Sequence, residues 1–150
     1  VDPVQLRAIT ALVDANTAGT KHAAATPLPA KGNFYPPTLI TGLSPASSLM
    51  QEEIFGPVAP IVRFSTEQEV IAVANDTTAG LAAYFYSRDI GRIWRLSEAL
   101  EYGIIGVNEG IISNEVAPFG GVKESGVGRE GSKYGMEDFL EIKYLCMGGI

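Results

Sequence analysis

The sequence predicts an α/β protein organised around parallel strands. Three observations carry that prediction. Strand-like and helix-like runs alternate from Val58 onward with short connections between them, helix-start signals stand at Thr66 and Asp89, and glycines punctuate the chain at Gly80 and Gly103. Strand, helix, strand, helix, strand in that spacing is the order that right-handed crossovers impose on a parallel sheet.

The elements follow in order. Asp2 before Pro3 reads as an N-cap with proline at the first helical position. Val4, Leu6, Ile9, Leu12 and Val13 then keep roughly helical spacing, and Gly19 is the expected stop. A chain that opens one residue before a helix cap, without methionine, reads as cut from something longer. The Ala/Pro-rich stretch from Lys21 to Pro37 holds one short strand near His22–Ala25 and a loop. Thr38–Thr41 is a strand, and Ser44–Glu53 a loop with one helical turn. Val58–Phe64 is a strand, and Thr66 with Glu69 makes a capping box for a helix through about Asn75. Ala82–Tyr86 is a strand, Asp89 caps a helix over Ile90–Tyr102 that Gly103 ends, and Ile104–Asn108 is a strand. A last helix is expected over Arg129–Glu137, and a final strand over Leu140–Met147. In that strand Leu140, Ile142 and Tyr144 alternate with Glu141 and Lys143. It either pairs inside its own sheet or augments a neighbour's edge.

Composition narrows the function classes. The chain has 150 residues, 46% of them hydrophobic and 19% charged, enough for a real core. A net charge of −6, with Lys and Arg scattered singly, leaves no cationic track for nucleic acid. No apolar run reaches the roughly 18 residues of a membrane helix, so the expectation is a soluble cytoplasmic chain. One cysteine, Cys146, and one histidine, His22, exclude an internal disulfide and make a nitrogen- and sulfur-ligated metal site an unsupported reading.

Cys146 sits on the apolar terminal strand, without a cationic neighbour or base, so core packing is expected and a nucleophile is not. Gly126-Val127-Gly128-Arg129-Glu130-Gly131 fits G-x-G-x-x-G to the letter. No buried strand precedes it and no βαβ unit can follow it, so a turn is the better reading than a dinucleotide site. Gln51-Glu52-Glu53-Ile54-Phe55-Gly56-Pro57 puts two carboxylates and an aromatic ring before a turn into a strand. By itself this is either a solvated acidic pair with Phe55 in the core, or an acid presented to a ligand.

That heptapeptide resembles a segment of the aldehyde dehydrogenases. The resemblance continues through Asn75-Asp76-Thr77, Gly80-Leu81-Ala82, Gly106-Val107-Asn108, Pro118-Phe119-Gly120-Gly121-Val122-Lys123 and Ser125-Gly126. It is firm from about Glu52. Ile111-Ile112-Ser113-Asn114-Glu115 is similar to the form found in succinate-semialdehyde dehydrogenases. The resemblance implies that residues 1–138 are the C-terminal portion of the catalytic domain and residues 139–150 an oligomerisation strand and tail, Leu140–Met147 making a homo-oligomer contact. It implies that Glu53 accepts hydrogen bonds from the ribose hydroxyls of NAD or NADP and that Phe55 packs at the nicotinamide. An ionised carboxylate, acceptor-only, suits two adjacent hydroxyls. It also implies that Phe119 lines the aldehyde tunnel and that Ser113 helps hold the substrate's distal carboxylate. The residue-level alternative for Ser113 is a hydroxyl that caps its own loop. No residue here matches the family's nucleophilic cysteine or general-base glutamate, so this chain supplies no catalytic residue and is expected to be inactive alone. The competing reading is a standalone non-catalytic assembly module.

Overall fold

The computed structural model describes residues 2–149, which fall into two compact units dividing between Val70 and Ile71.

The first unit opens with helix α1, Pro3–Ala15. The Asp2 carboxylate accepts from the backbone N–H groups of Val4 at 2.7 Å and Gln5 at 2.8 Å, satisfying two of the donors a helix start leaves open. Strand β1, Thr20–Ala23, pairs antiparallel with β2, Thr38–Thr41. A short α2, Ser48–Gln51, lies in the crossover to β3, Val58–Ile61, which pairs parallel with β2 in the register Thr38↔Val58 to Thr41↔Ile61. Ile9 and Val13 of α1 pack with Ile40, Leu43, Leu49 and Val58 in one buried cluster. Each such side chain removed from water contributes about 1.5–3 kcal/mol. α1 ends four residues before Gly19. Asn16 stops it, its carboxamide donating to Leu12 O and Ser48 Oγ at 2.9 Å each and accepting from Ser47 Oγ at 2.7 Å.

Helix α3, Glu67–Asn75, starts with the expected box in a shifted form. Thr66 Oγ1 accepts from Glu69 N–H at 3.1 Å, while the Glu69 carboxylate accepts from Ser65 N–H at 2.7 Å, one residue ahead of the cap.

In the second unit, β4 (Ala82–Phe85) and β5 (Ile104–Val107) pair in parallel, with Ala82 opposite Ile104 and Phe85 opposite Val107. Helix α4, Ile90–Ala99, crosses between them, capped by the Asp89 carboxylate on Arg92 N–H at 3.0 Å. It ends before the expected Tyr102 because Asn75 intercepts the chain. The Asn75 carboxamide donates to Ala99 O at 2.8 Å and accepts from Glu101 N–H at 2.9 Å. No described helix is long and apolar enough to cross a membrane.

The α/β class with parallel strand pairs is present, but the run from β3 to β5 is not one sheet. β3 belongs to a three-stranded sheet ordered β1-β2-β3, and β4 to the two-stranded sheet with β5. Two further expectations fail, and one is narrowed. The helix over Arg129–Glu137 is replaced by an extended pair at Glu130 and a 3-10 turn over Tyr134–Phe139. Leu140–Met147 forms no ladder with any described residue and every side chain along it is exposed. Of its two readings, pairing inside its own sheet is thus absent among the described residues, and the reading as an addition to a neighbour's edge stands. Cys146, expected in a core, is therefore a free, exposed thiol.

Candidate functional site

The glycine-dense segment is a closed loop held at four points. At its neck Phe119 and Glu130 exchange backbone hydrogen bonds, 2.9 Å from Phe119 N–H and 2.6 Å from Glu130 N–H. Arg129 Nη1 staples the two limbs, donating to Gly121 O at 2.8 Å and Gly128 O at 2.7 Å. Ser125 Oγ accepts from Gly80 N–H at 2.8 Å. The Lys123 ammonium, with three protons, has three partners: Asn75 O at 2.7 Å, Thr77 O at 3.2 Å and the Glu101 carboxylate at 2.7 Å. Glycine is required where the loop descends on β5, because a Cβ on Gly103 would run into the carbonyl of Gly120.

A second loop, carrying Ser113, leaves the end of β5. Asn108 launches it in a left-handed conformation, φ 55°. Its side-chain amide copies a peptide, accepting from Ser87 N–H at 2.9 Å and donating to Ser87 O at 2.7 Å. The Glu109 carboxylate accepts from Gly110 N–H at 2.8 Å and Ile111 N–H at 3.1 Å. Those bonds, Ile111's first, hold its carboxyl below the usual range. Asn114 Oδ1 accepts from Val116 N–H at 3.0 Å. Loop capping is thus done by Glu109 and Asn114, and the exposed Ser113 hydroxyl is left without a described protein partner.

Ser113 and Phe119 line the same open cavity of about 460 Å³, with Asn114, Glu115, Glu130 and Gly131. A larger one of about 570 Å³ shares Phe119, Glu130 and Gly131 and adds Arg129 and Asp138 among its walls. The smaller cavity has two carboxylate residues and no cation in its lining. Gly126–Gly131, the G-x-G-x-x-G match, is part of the larger cavity's wall and opens no α-helix.

Glu53 and Phe55 lie in the first unit, in the turn before β3. Ile54 between them packs on the core, which turns its neighbours outward: Phe55 is 67% exposed, and Glu53 is exposed with no described partner. Phe55 is therefore not the core residue of the bland alternative. A free carboxylate beside a bare aromatic ring fits a ligand offering hydroxyls and a flat face. Among the described residues no cluster of three His, Cys, Asp or Glu side chains could hold a metal.

Asn75, Asn108 and Lys123 stand within the sequence motifs, but the motifs give no sign of their positioning roles.

Residues 1–145 match the sequence model of the aldehyde dehydrogenase family. The chain is 63% identical over 117 residues to the Escherichia coli succinate-semialdehyde dehydrogenase [NADP(+)] GabD, covering 78% of this chain and 24% of that protein. It is 61% identical over 117 residues to a Pseudomonas putida glutarate-semialdehyde dehydrogenase, again 78% of this chain and 24% of the relative. Among solved structures, the succinate-semialdehyde dehydrogenase of Burkholderia pseudomallei superposes with a TM-score of 0.90 at 49% identity, over 97% of this chain and 31% of that one. The chain thus spans about a quarter of the length of these curated relatives. With a family match over nearly its whole length, this chain belongs to the aldehyde dehydrogenase family.

Proposed function

We propose that these residues are the C-terminal portion of an NAD(P)-dependent dehydrogenase that oxidises a semialdehyde, succinate semialdehyde first, to its carboxylic acid. The observation that carries the reading is Ser113, its hydroxyl uncommitted to any described partner, in the lining of the cavity that Phe119 also lines. In this role Ser113 donates to the substrate's distal carboxylate, and Phe119 forms part of the wall along which the aldehyde enters. Glu115 and Glu130 would repel that carboxylate, so the cations that attract it come from elsewhere in the enzyme.

In the first unit, Glu53 accepts from ribose hydroxyls and Phe55 covers the nicotinamide. When bound, that cofactor supplies the hydride acceptor. The chain's single thiol is on the exposed tail with no described hydrogen-bond partner, so the thiolate that attacks the aldehyde and the base that lets water hydrolyse the thioester are contributed by other residues of the enzyme. Residues 139–150 act as a subunit contact, Leu140–Met147 adding to a neighbour's edge.

The test compares the complete enzyme with the 150-residue chain. The complete enzyme should reduce NAD or NADP with succinate semialdehyde, and the chain alone should give no turnover. Turnover by the chain alone would remove the need for an outside thiolate. A complete protein inert toward every aldehyde would favour the assembly module. The Pseudomonas putida relative is named for glutarate semialdehyde. Efficiency on the two chain lengths therefore decides the substrate, and a preference for glutarate semialdehyde would displace succinate semialdehyde.

A further inference from the structure

Backbone strain in this protein is concentrated around one loop pair. Asn108, Lys123 and Ser132 are the only non-glycine residues with left-handed φ among those described, at 55°, 55° and 52°. All three border or lie within the two loops that carry Ser113 and Phe119. Left-handed conformations persist in L-residues only where the surroundings impose them, and such residues gather at functional sites.

The first two are held by their own side chains, Asn108 through Ser87 and Lys123 through its three oxygen partners. Ser132 is held through its backbone. With Gly131 at φ 65° it makes two successive left-handed residues, and that reversal turns the Ser132 N–H onto Glu115 O at 2.9 Å. Gly131 passes so close to Glu115 and Ala117 that a Cβ there would touch both carbonyl oxygens, at 3.4 Å each. The Ser132 hydroxyl faces the other way in the chain, accepting from Tyr134 N–H at 3.2 Å.

We propose that Ser132 is a positioning residue: its left-handed backbone latches the Ser113 loop to the strand-like limb at Glu130, and so sets selectivity for a carboxylated aldehyde. This rests on the Ser113 reading above. Only Asn114 separates Ser113 from Glu115, the latched carbonyl, so a loop released there loses the fixed position of the hydroxyl. Phe119 keeps its own two bonds to Glu130 and stays in place. An unlatched population binds the semialdehyde less well in proportion to the fraction remaining latched.

The test uses three variants of the complete enzyme. Ser132→Val disfavours the left-handed region, Ser132→Asn tolerates it, and Ser113→Ala is the control for the underlying reading. Ser132→Val should raise KM for succinate semialdehyde by about 3- to 10-fold relative to butyraldehyde, the scale of a mostly unlatched loop. Ser132→Asn should stay near the parent. Amide exchange at residue 132 should be slow in the parent and the Asn variant and fast in the Val variant. Slow exchange in Ser132→Val, or equal damage by Val and Asn, overturns the latch. Fast exchange and a raised KM in Ser132→Val, with Ser113→Ala silent, would keep the latch and remove Ser113 as the group it positions. Fast exchange with unchanged selectivity in Ser132→Val, beside a selective Ser113→Ala, would overturn the claim that the latch sets selectivity.

Discussion

Phe119 and Glu130 exchange both of their backbone hydrogen bonds, an isolated antiparallel pair that closes the glycine-dense loop at its neck. The pair fixes the aromatic residue through its main chain. The side chain of Phe119 is therefore free to be a wall, and Ser113, across the same cavity, is free to be a donor.

Replacing Ser113 by Ala in the complete enzyme should raise KM for succinate semialdehyde while sparing butyraldehyde. One hydrogen bond to a charged group is worth about 1.5–3 kcal/mol, less where arginines elsewhere carry most of the attraction. Steady-state kinetics on the two aldehydes checks it, and equal loss on both would reduce Ser113 to a loop residue.

Glu53→Gln should leave stability unchanged, because the carboxylate is exposed and has no described partner. Catalytic efficiency should fall by about 10- to 100-fold, the scale of a charge-assisted hydrogen bond replaced by a neutral one. Pre-steady-state hydride transfer with an unchanged rate would return Glu53 to the solvated surface.

Gly103→Ala should destabilise the protein by about 1–3 kcal/mol or more, the range for forcing volume into a filled contact. The new methyl would meet the carbonyl of Gly120, which is backbone and cannot swing aside. A lowered urea midpoint with an unchanged slope is the expected signature.

Acid should weaken the start of α4. The Asp89 carboxyl is held below its ordinary value of 3.8 chiefly by the Arg92 N–H bond. Its contribution is fully present above the unfolded-state pKa of about 3.9 and is lost as pH falls through the lower folded value. Asp89→Asn keeps an acceptor without the charge, so its urea midpoint should fall less steeply between pH 5 and pH 2 (about the range of an ordinary carboxylate and below it). Identical acid slopes would show that the cap owes nothing to ionisation.

Much of the fold was legible because short-range chemistry decides it. The caps at Asp2, Thr66 and Asp89 act where the residue types place them, and Thr38–Thr41 is a strand at the expected bounds. What the sequence hid was partner choice. The sequence pattern reads Val58–Phe64 and Ala82–Tyr86 as strands, but does not say that they join different sheets. Arg129–Glu137 has helix-forming residues, yet Glu130 is claimed by Phe119, and left-handed Gly131 and Ser132 turn the chain away. For the candidate site, the motifs pointed to Ser113 and Phe119, and both residues line one cavity. The residues that hold them, Asn75, Asn108, Lys123 and Ser132, carry no such signal, since each acts through backbone atoms distant in sequence.

Cys146 should label at the rate of an open surface thiol in the 150-residue chain. In the assembled enzyme it should label at least about tenfold more slowly if Leu140–Met147 is covered by another subunit, since access controls thiol reactivity. Equal rates in both would leave the tail bare and remove it as a contact.

The bare tail also has a consequence for the chain as a substance. Leu140, Ile142, Tyr144, Leu145 and Met147 are all exposed along one unpaired run, interrupted only by Cys146 and the charges of Glu141 and Lys143. An unpaired apolar ribbon recruits copies of itself. Handled without its neighbours, the protein should therefore be limited by precipitation before it is limited by unfolding, and Glu141 and Lys143 are the gatekeepers whose removal would bring that limit to lower concentration.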